Sequence, residues 1–159
     1  MRPASKPARS GWKFPEETAM TLTLTRARAC IERGFTKAQA LGFKVAIAVV
    51  DEAGHLVACA RMDGALWVTP EIARAKANAS AAFGATTLDL EERFAKRQLF
   101  ADNVATLGDY RFVFGKGAVP LVVGERIVGA VGVSGAVPAD NDHTIADAAA
   151  GHPTPPRSH

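Results

Sequence analysis

Cysteine is scarce in this chain: Cys30 and Cys59 stand far apart among 159 residues, without the spacing of a zinc or redox motif. That excludes a disulfide framework, and both thiols read as reduced core residues. Histidine is scarce as well. Of four, His152 and His159 fall in the C-terminal stretch, so only His55 and His143 are available to an ordered site. No three-ligand metal cluster can be assembled from local spacing, and no metal is expected. Long apolar runs are missing, and the N-terminal stretch MRPASKPARSGWKF is basic but lacks the apolar core of a signal peptide. No membrane partner is therefore expected, and cytoplasmic residence is the default. Charge of one sign is also lacking: nineteen Lys and Arg face sixteen Asp and Glu, a net +3, with Arg2, Lys6, Arg9 and Lys13 at the very start. Beyond Lys13 no basic patch interleaved with aromatic residues remains, which excludes a nucleic-acid surface.

What is present suits one soluble domain. The chain has 48% hydrophobic and 22% charged residues and is long enough to bury one core. Residues 1–15, rich in Pro, Ser and Arg, and 151–159, with Gly151 and three prolines, read as flexible tails around a single domain spanning 16–150. Between about Glu17 and Leu41, the apolar residues Leu24, Ala27, Ile31, Phe35 and Ala38 recur at helical steps, and Gly42 supplies a stop. The apolar run Phe43–Val50 predicts a central strand, and Asp51-Glu52-Ala53-Gly54 a turn into a second strand, His55–Met62. Strict alternation places His55, Val57, Cys59 and Arg61 on one face of that strand and Leu56, Ala58, Ala60 and Met62 on the other.

Thr69-Pro70-Glu71 opens a helix, with Thr69 as cap, that runs to Phe83 before Gly84. At about 100° per residue, Lys76 falls close to the line of Ile72, Ala79 and Phe83, so it belongs to the packing face. A further, less regular helical stretch covers Thr87–Leu107. Three extended segments follow, Arg111–Phe114, Val119–Val123 and Arg126–Ser134, and Asp140 caps a last helix. Gly129 and Gly132 inside the final strand mark a close approach of a ligand or another backbone. The predicted order is helix, two strands, two helices, three strands, helix: an α+β fold with a five-stranded, largely antiparallel sheet.

Four segments in fixed order carry a resemblance: AVVDEAGHLVACARMDGA at 48–65, AxxKAxxSAAFG at 73–84, VPLVVGERIVGAVGVSGA at 119–136 and DxxIA at 142–146. Together they resemble the GlcG/HbpS family, which includes haem-binding proteins and the C-terminal domain of PduO-type corrinoid adenosyltransferases. The resemblance covers about 19–150. It implies a five-stranded antiparallel α+β domain, assembly into homo-oligomers and, in several members, binding of haem or a related tetrapyrrole. The chain departs from the family pattern at Ala118, where a second Gly is common, and at His143, where an acidic residue is common. It also departs in the aromatic character of 98–115, with Phe100, Tyr110, Phe112 and Phe114. These departures leave the ligand open and the fold unaffected.

Arg61, Lys76 and Asp142 are charges at positions the local apolar pattern marks as buried, and a single pocket could collect them. Lys76 either snorkels along the Ala-rich helix or holds an anion, with Asp142 as its natural partner. Asp142 is equally accounted for as a helix-start carboxylate. Arg61 either pairs at the surface with Asp63 or Glu52, or recognises a carboxylate through its guanidinium. Asp51 reads as a turn former, and His55 as a surface residue beside it. The amides after Ser134 and Gly135 could face an anion. Tyr110 and Phe112 would supply apolar walls. The first reading is an oligomeric binder of haem or another small carboxylate-bearing ligand. The alternative is a cofactor-independent isomerase, lyase or hydrolytic enzyme acting on a small aromatic or keto acid, as in aromatic catabolism. There His143 or Asp142 would serve as base, with Lys76 or Arg61 stabilising the developing anion. A purely structural or partner-binding module is the third.

Overall fold

The computed structural model describes residues 21–152, so the tail assigned to 1–15 and nearly all of that assigned to 151–159 lie outside the described residues. The elements are α1 (Leu24–Leu41), β1 (Ala46–Asp51), β2 (Leu56–Arg61), α2 (Thr69–Phe83), α3 (Thr87–Phe94), α4 (Gln98–Val104), β3 (Ala118–Val123), β4 (Arg126–Ser134) and α5 (Asp140–Ala150). Thr23 caps α1 through a 3.1 Å bond from the Arg26 amide, and Gly42, with φ +80°, ends it.

The sheet has four strands, ordered β2-β1-β4-β3, all antiparallel. The fifth strand expected at Arg111–Phe114 does not form. That segment lies across α2, where the Val113 amide donates to the Ala75 carbonyl at 3.2 Å. Phe112 and Phe114 pack edge-on against Phe83, with Phe94 beside Phe114. The Phe112 and Phe114 rings are half-buried against that cluster, where ring-edge contacts hold the segment on the helix side. The helical stretch 87–107 is broken into α3 and α4 by a turn at 95–97.

Central strand β1 is buried on both faces, as its unbroken apolar run requires. Ile47 and Val49 join Val131 and Val133 under α1 and α5, while Val50 and Ala130 meet Ala77 of α2. Gly132 supplies the close approach its position predicted: a Cβ there would collide with the Ala73 carbonyl and lie 2.9 Å from the Ala77 amide. The neighbour is the α2 backbone, not a ligand.

Several local expectations are corrected. A bulge between Val49 and Val50 breaks the alternation of β2: Leu56 pairs with Val50, whereas Val57 and Ala58 both pack into the core. Cys59 is an exposed thiol on this edge strand, not a core residue. Val68, not Thr69, occupies the cap position of α2, and the Thr69 hydroxyl donates instead to the Leu66 carbonyl at 2.7 Å. Ala139 occupies the cap position of α5, so Asp140 is its first helical residue. Among the described residues no helix is long and apolar enough to cross a membrane.

Candidate functional site

Helix α2 is alanine-rich and carries polar residues on two stripes on opposite sides. Residues 73, 76, 77 and 80 recur at helical steps and face the sheet, while 71, 74, 75 and 78 follow the same steps two residues out of phase, about 160° away. Of the charged residues of α2, Lys76 belongs to the first stripe and Glu71 and Arg74 to the second.

On the sheet side Lys76 is 5% exposed and Asp142 3%. The Lys76 Nζ donates to Asp142 Oδ2 and to the Val133 carbonyl, both at 3.1 Å. The Ala136 amide donates to Asp142 Oδ1 at 2.9 Å, and the Gly135 amide adds to the same carboxylate. The anion expected at the amides following Ser134 is thus Asp142 itself. Burial raises the Asp142 carboxyl above its ordinary pKa, and the Lys76 charge and the two amides only partly offset this. Gly117, with φ +128°, closes over the pair, since a Cβ there would lie 2.8 Å from the Asp142 Cβ and 3.0 Å from the Lys76 Nζ. Two of the expected charges therefore meet, in a sealed position.

The third does not join them. Arg61 ends edge strand β2, opposite Ala46, with its side chain exposed. A strand edge leaves a long cation the option of water, and nothing in β2 turns it inward. Ser134 is buried on the other side of Ala46, and Gly135 is exposed with φ +129°. His143 lines a groove at the start of α5 with Pro138, Asp140, Asn141 and Thr144. Its Nε2 lies 3.4 Å from Asp147 Oδ2, and its Nδ1 is buried without a partner. Phe112 packs against the aromatic core cluster and also lines a small recess together with Tyr110.

The outer stripe of α2 opens on a different space. A cleft of about 480 Å³ lies between α2, the β1–β2 turn and residues 109–111, lined by Gly54, His55, Glu71, Arg74, Ala75, Asn78, Asp109, Tyr110 and Arg111. It borders a smaller recess of about 100 Å³ that shares Gly54, Asn78 and Tyr110 and reaches Phe112. The turn is held by Asp51, whose Oδ1 accepts from the Ala53 and His55 amides at 2.9 Å each, the turn-forming role expected of it. Asp51 Oδ2 also sits 3.4 Å from His55 Nδ1. The Tyr110 hydroxyl donates to the Ala53 carbonyl at 3.0 Å and ties the opposite wall to the turn. Sequence reasoning missed Glu71, Arg74, Asn78, Asp109 and Arg111. For the helical three a signal was present: polar residues at 71, 74 and 78 form one stripe on a helix otherwise made largely of alanine.

A family model described as haem degrading protein HbpS-like matches residues 22–151. The chain belongs to the HbpS-like family. It is 35% identical to Protein GlcG of Escherichia coli strain K12 over 118 residues, 74% of this chain and 84% of GlcG. A double mutant of Streptomyces reticuli HbpS has the same fold at a TM-score of 0.74 and 29% identity, covering 94% of this chain and 97% of its own. A PduOC:haem complex matches with a TM-score of 0.74 over 82% of this chain and 94% of its own, at 23% identity, a likeness that bears on the fold alone. The HbpS-like scaffold here has four strands rather than the five expected, because the aromatic segment is withdrawn onto α2.

Proposed function

We propose that this HbpS-like chain binds haem or another small carboxylate-bearing ligand in the cleft on the outer face of α2. The carrying observation is that Arg74 and Arg111 both line one cavity of about 480 Å³, with one Arg111 nitrogen anchored on the Tyr110 carbonyl at 2.9 Å. The description of the family as haem-degrading supports haem as the first ligand to try.

The residues present fit that group at two points. Arg74 and Arg111 are suited to the propionates, as guanidinium pairs bidentately with carboxylate. His55 has Nδ1 beside the Asp51 carboxylate, which leaves Nε2 as the nitrogen available to iron and orients the ring. Bound haem would supply a redox-active iron. The chain's own contribution is to hold the carboxylates and fix the imidazole. Lys76 and Asp142 enter this reading as the fixed floor behind α2, not as ligand contacts, because both are committed to each other and to backbone groups.

A spectrophotometric titration with hemin tests the proposal. We expect a saturable Soret shift at micromolar protein, with Arg74→Ala and Arg111→Ala each weakening binding about tenfold or more. An unchanged Soret band removes haem, and small carboxylates that neither bind nor stabilise the chain remove the reading altogether. The enzymatic alternative draws less support: one imidazole nitrogen of His143 is buried and the other is held near Asp147, so neither is presented to a substrate as a base.

A further inference from the structure

The cleft contains a group that neither guanidinium explains. Asn78 is 6% exposed and its Oδ1 is buried with no hydrogen-bond partner. Its Nδ2 points toward the Arg111 carbonyl at 3.5 Å, which turns Oδ1 away from that carbonyl and toward Gly54. A Cβ on Gly54 would lie 3.5 Å from Oδ1 and 3.0 Å from the Tyr110 ring, so any side chain at this position would crowd the acceptor and the ring. An unpaired buried acceptor costs free energy that a ligand donor would recover. The neighbouring charges specify the donor. Glu71 and Asp109 line the cleft with Arg74, and these three side chains make no ion pair among the described residues. A cavity offering cations, anions and a neutral acceptor is matched by a molecule carrying both signs of charge.

We propose that this cleft takes an amine-bearing carboxylate, an α-amino acid or a molecule presenting the same pair of charges. Its ammonium donates to Asn78 Oδ1 within the field of Glu71 and Asp109, and its carboxylate lies on Arg74 and Arg111. The inference rests on the reading of the cleft as a carboxylate site and narrows it. Haem with ionised propionates has no N–H or O–H on its periphery and leaves Asn78 unsatisfied, whereas an ammonium does not.

Calorimetric titration of the full chain with the proteinogenic α-amino acids, each beside its 2-hydroxy and its deaminated carboxylate, tests this, with hemin run in parallel. At least one amino acid is expected to bind about tenfold or more tighter than its deaminated counterpart, because a site built around a hydrogen-bond acceptor rejects the analogue lacking the donor. Asn78→Leu should bring the two toward parity. Asn78→Asp, nearly the same size, should retain or raise the preference, and it serves as the decisive variant if Asn78→Leu does not fold. Equal binding of the deaminated acids, a hydroxy acid that matches its amino acid, or a preference that survives Asn78→Leu overturns the inference while leaving a carboxylate site in place. Hemin binding without any amino acid binding also overturns it. If neither hemin nor any carboxylate binds, the underlying reading fails as well.

Discussion

Lys76 and Asp142 are held where neither charge could remain alone. Removing two ions from water costs several kcal/mol apiece, and close geometry with the Val133 carbonyl and the Ala136 and Gly135 amides recovers it. Such a pair adds little net stability compared with well-packed apolar residues, but breaking one half exposes the full cost of the other. Lys76→Met is therefore expected to destabilise the fold by about 3–5 kcal/mol, and adding Asp142→Leu to recover much of that loss. Urea unfolding of the two single variants and the double variant measures it. Simple additivity of the single losses would show that the two groups act independently.

At the scale of elements, α2 and β4 touch backbone to backbone. Gly132 permits this because its missing side chain leaves room for the Ala73 carbonyl and the Ala77 amide, and small residues on α2 complete the contact. Gly132→Ala is expected to cost about 3 kcal/mol, since the intruding atom meets main chain that cannot rotate away. A fall in urea midpoint at unchanged slope would be the sign of it. A variant as stable as the parent would mean that the helix lies farther from the sheet. The same element carries the cleft on its far side, so a shift of α2 should also move Arg74 and Asn78.

For the whole molecule, the buried pair links α2, β4 and the start of α5, so its protonation is felt in global unfolding. Burial places the folded pKa of Asp142 above its unfolded value, and the folded state therefore takes up this proton more readily than the unfolded one. The stability contributed by this carboxyl is fully present below the unfolded value of about 4 and is lost as pH rises through the raised, folded one. Asp142→Asn lacks that term. The stability of the parent minus that of the variant should fall with increasing pH across this window and then level off, as urea titrations at stepped pH would record. A difference that grows with pH would contradict the assignment.

Much of the architecture was legible in the chain itself. Periodicity located α1, the buried run of β1 and the packing-face position of Lys76, because apolar residues at fixed steps leave few ways to bury them. It failed at Arg111–Phe114, where an extended aromatic run is the same pattern whether it joins a sheet or folds over a helix, and at Arg61, where one position on an edge strand is wet. The α2 stripe of Glu71, Arg74 and Asn78 was present in the sequence. What it faces was not, since Gly54, His55, Tyr110 and Arg111 reach it from distant parts of the chain. Local spacing determined which elements form and which helix faces are polar. Only tertiary packing decided that one polar stripe would be sealed against the sheet and the other left open, because burial depends on what the rest of the chain lays across each face.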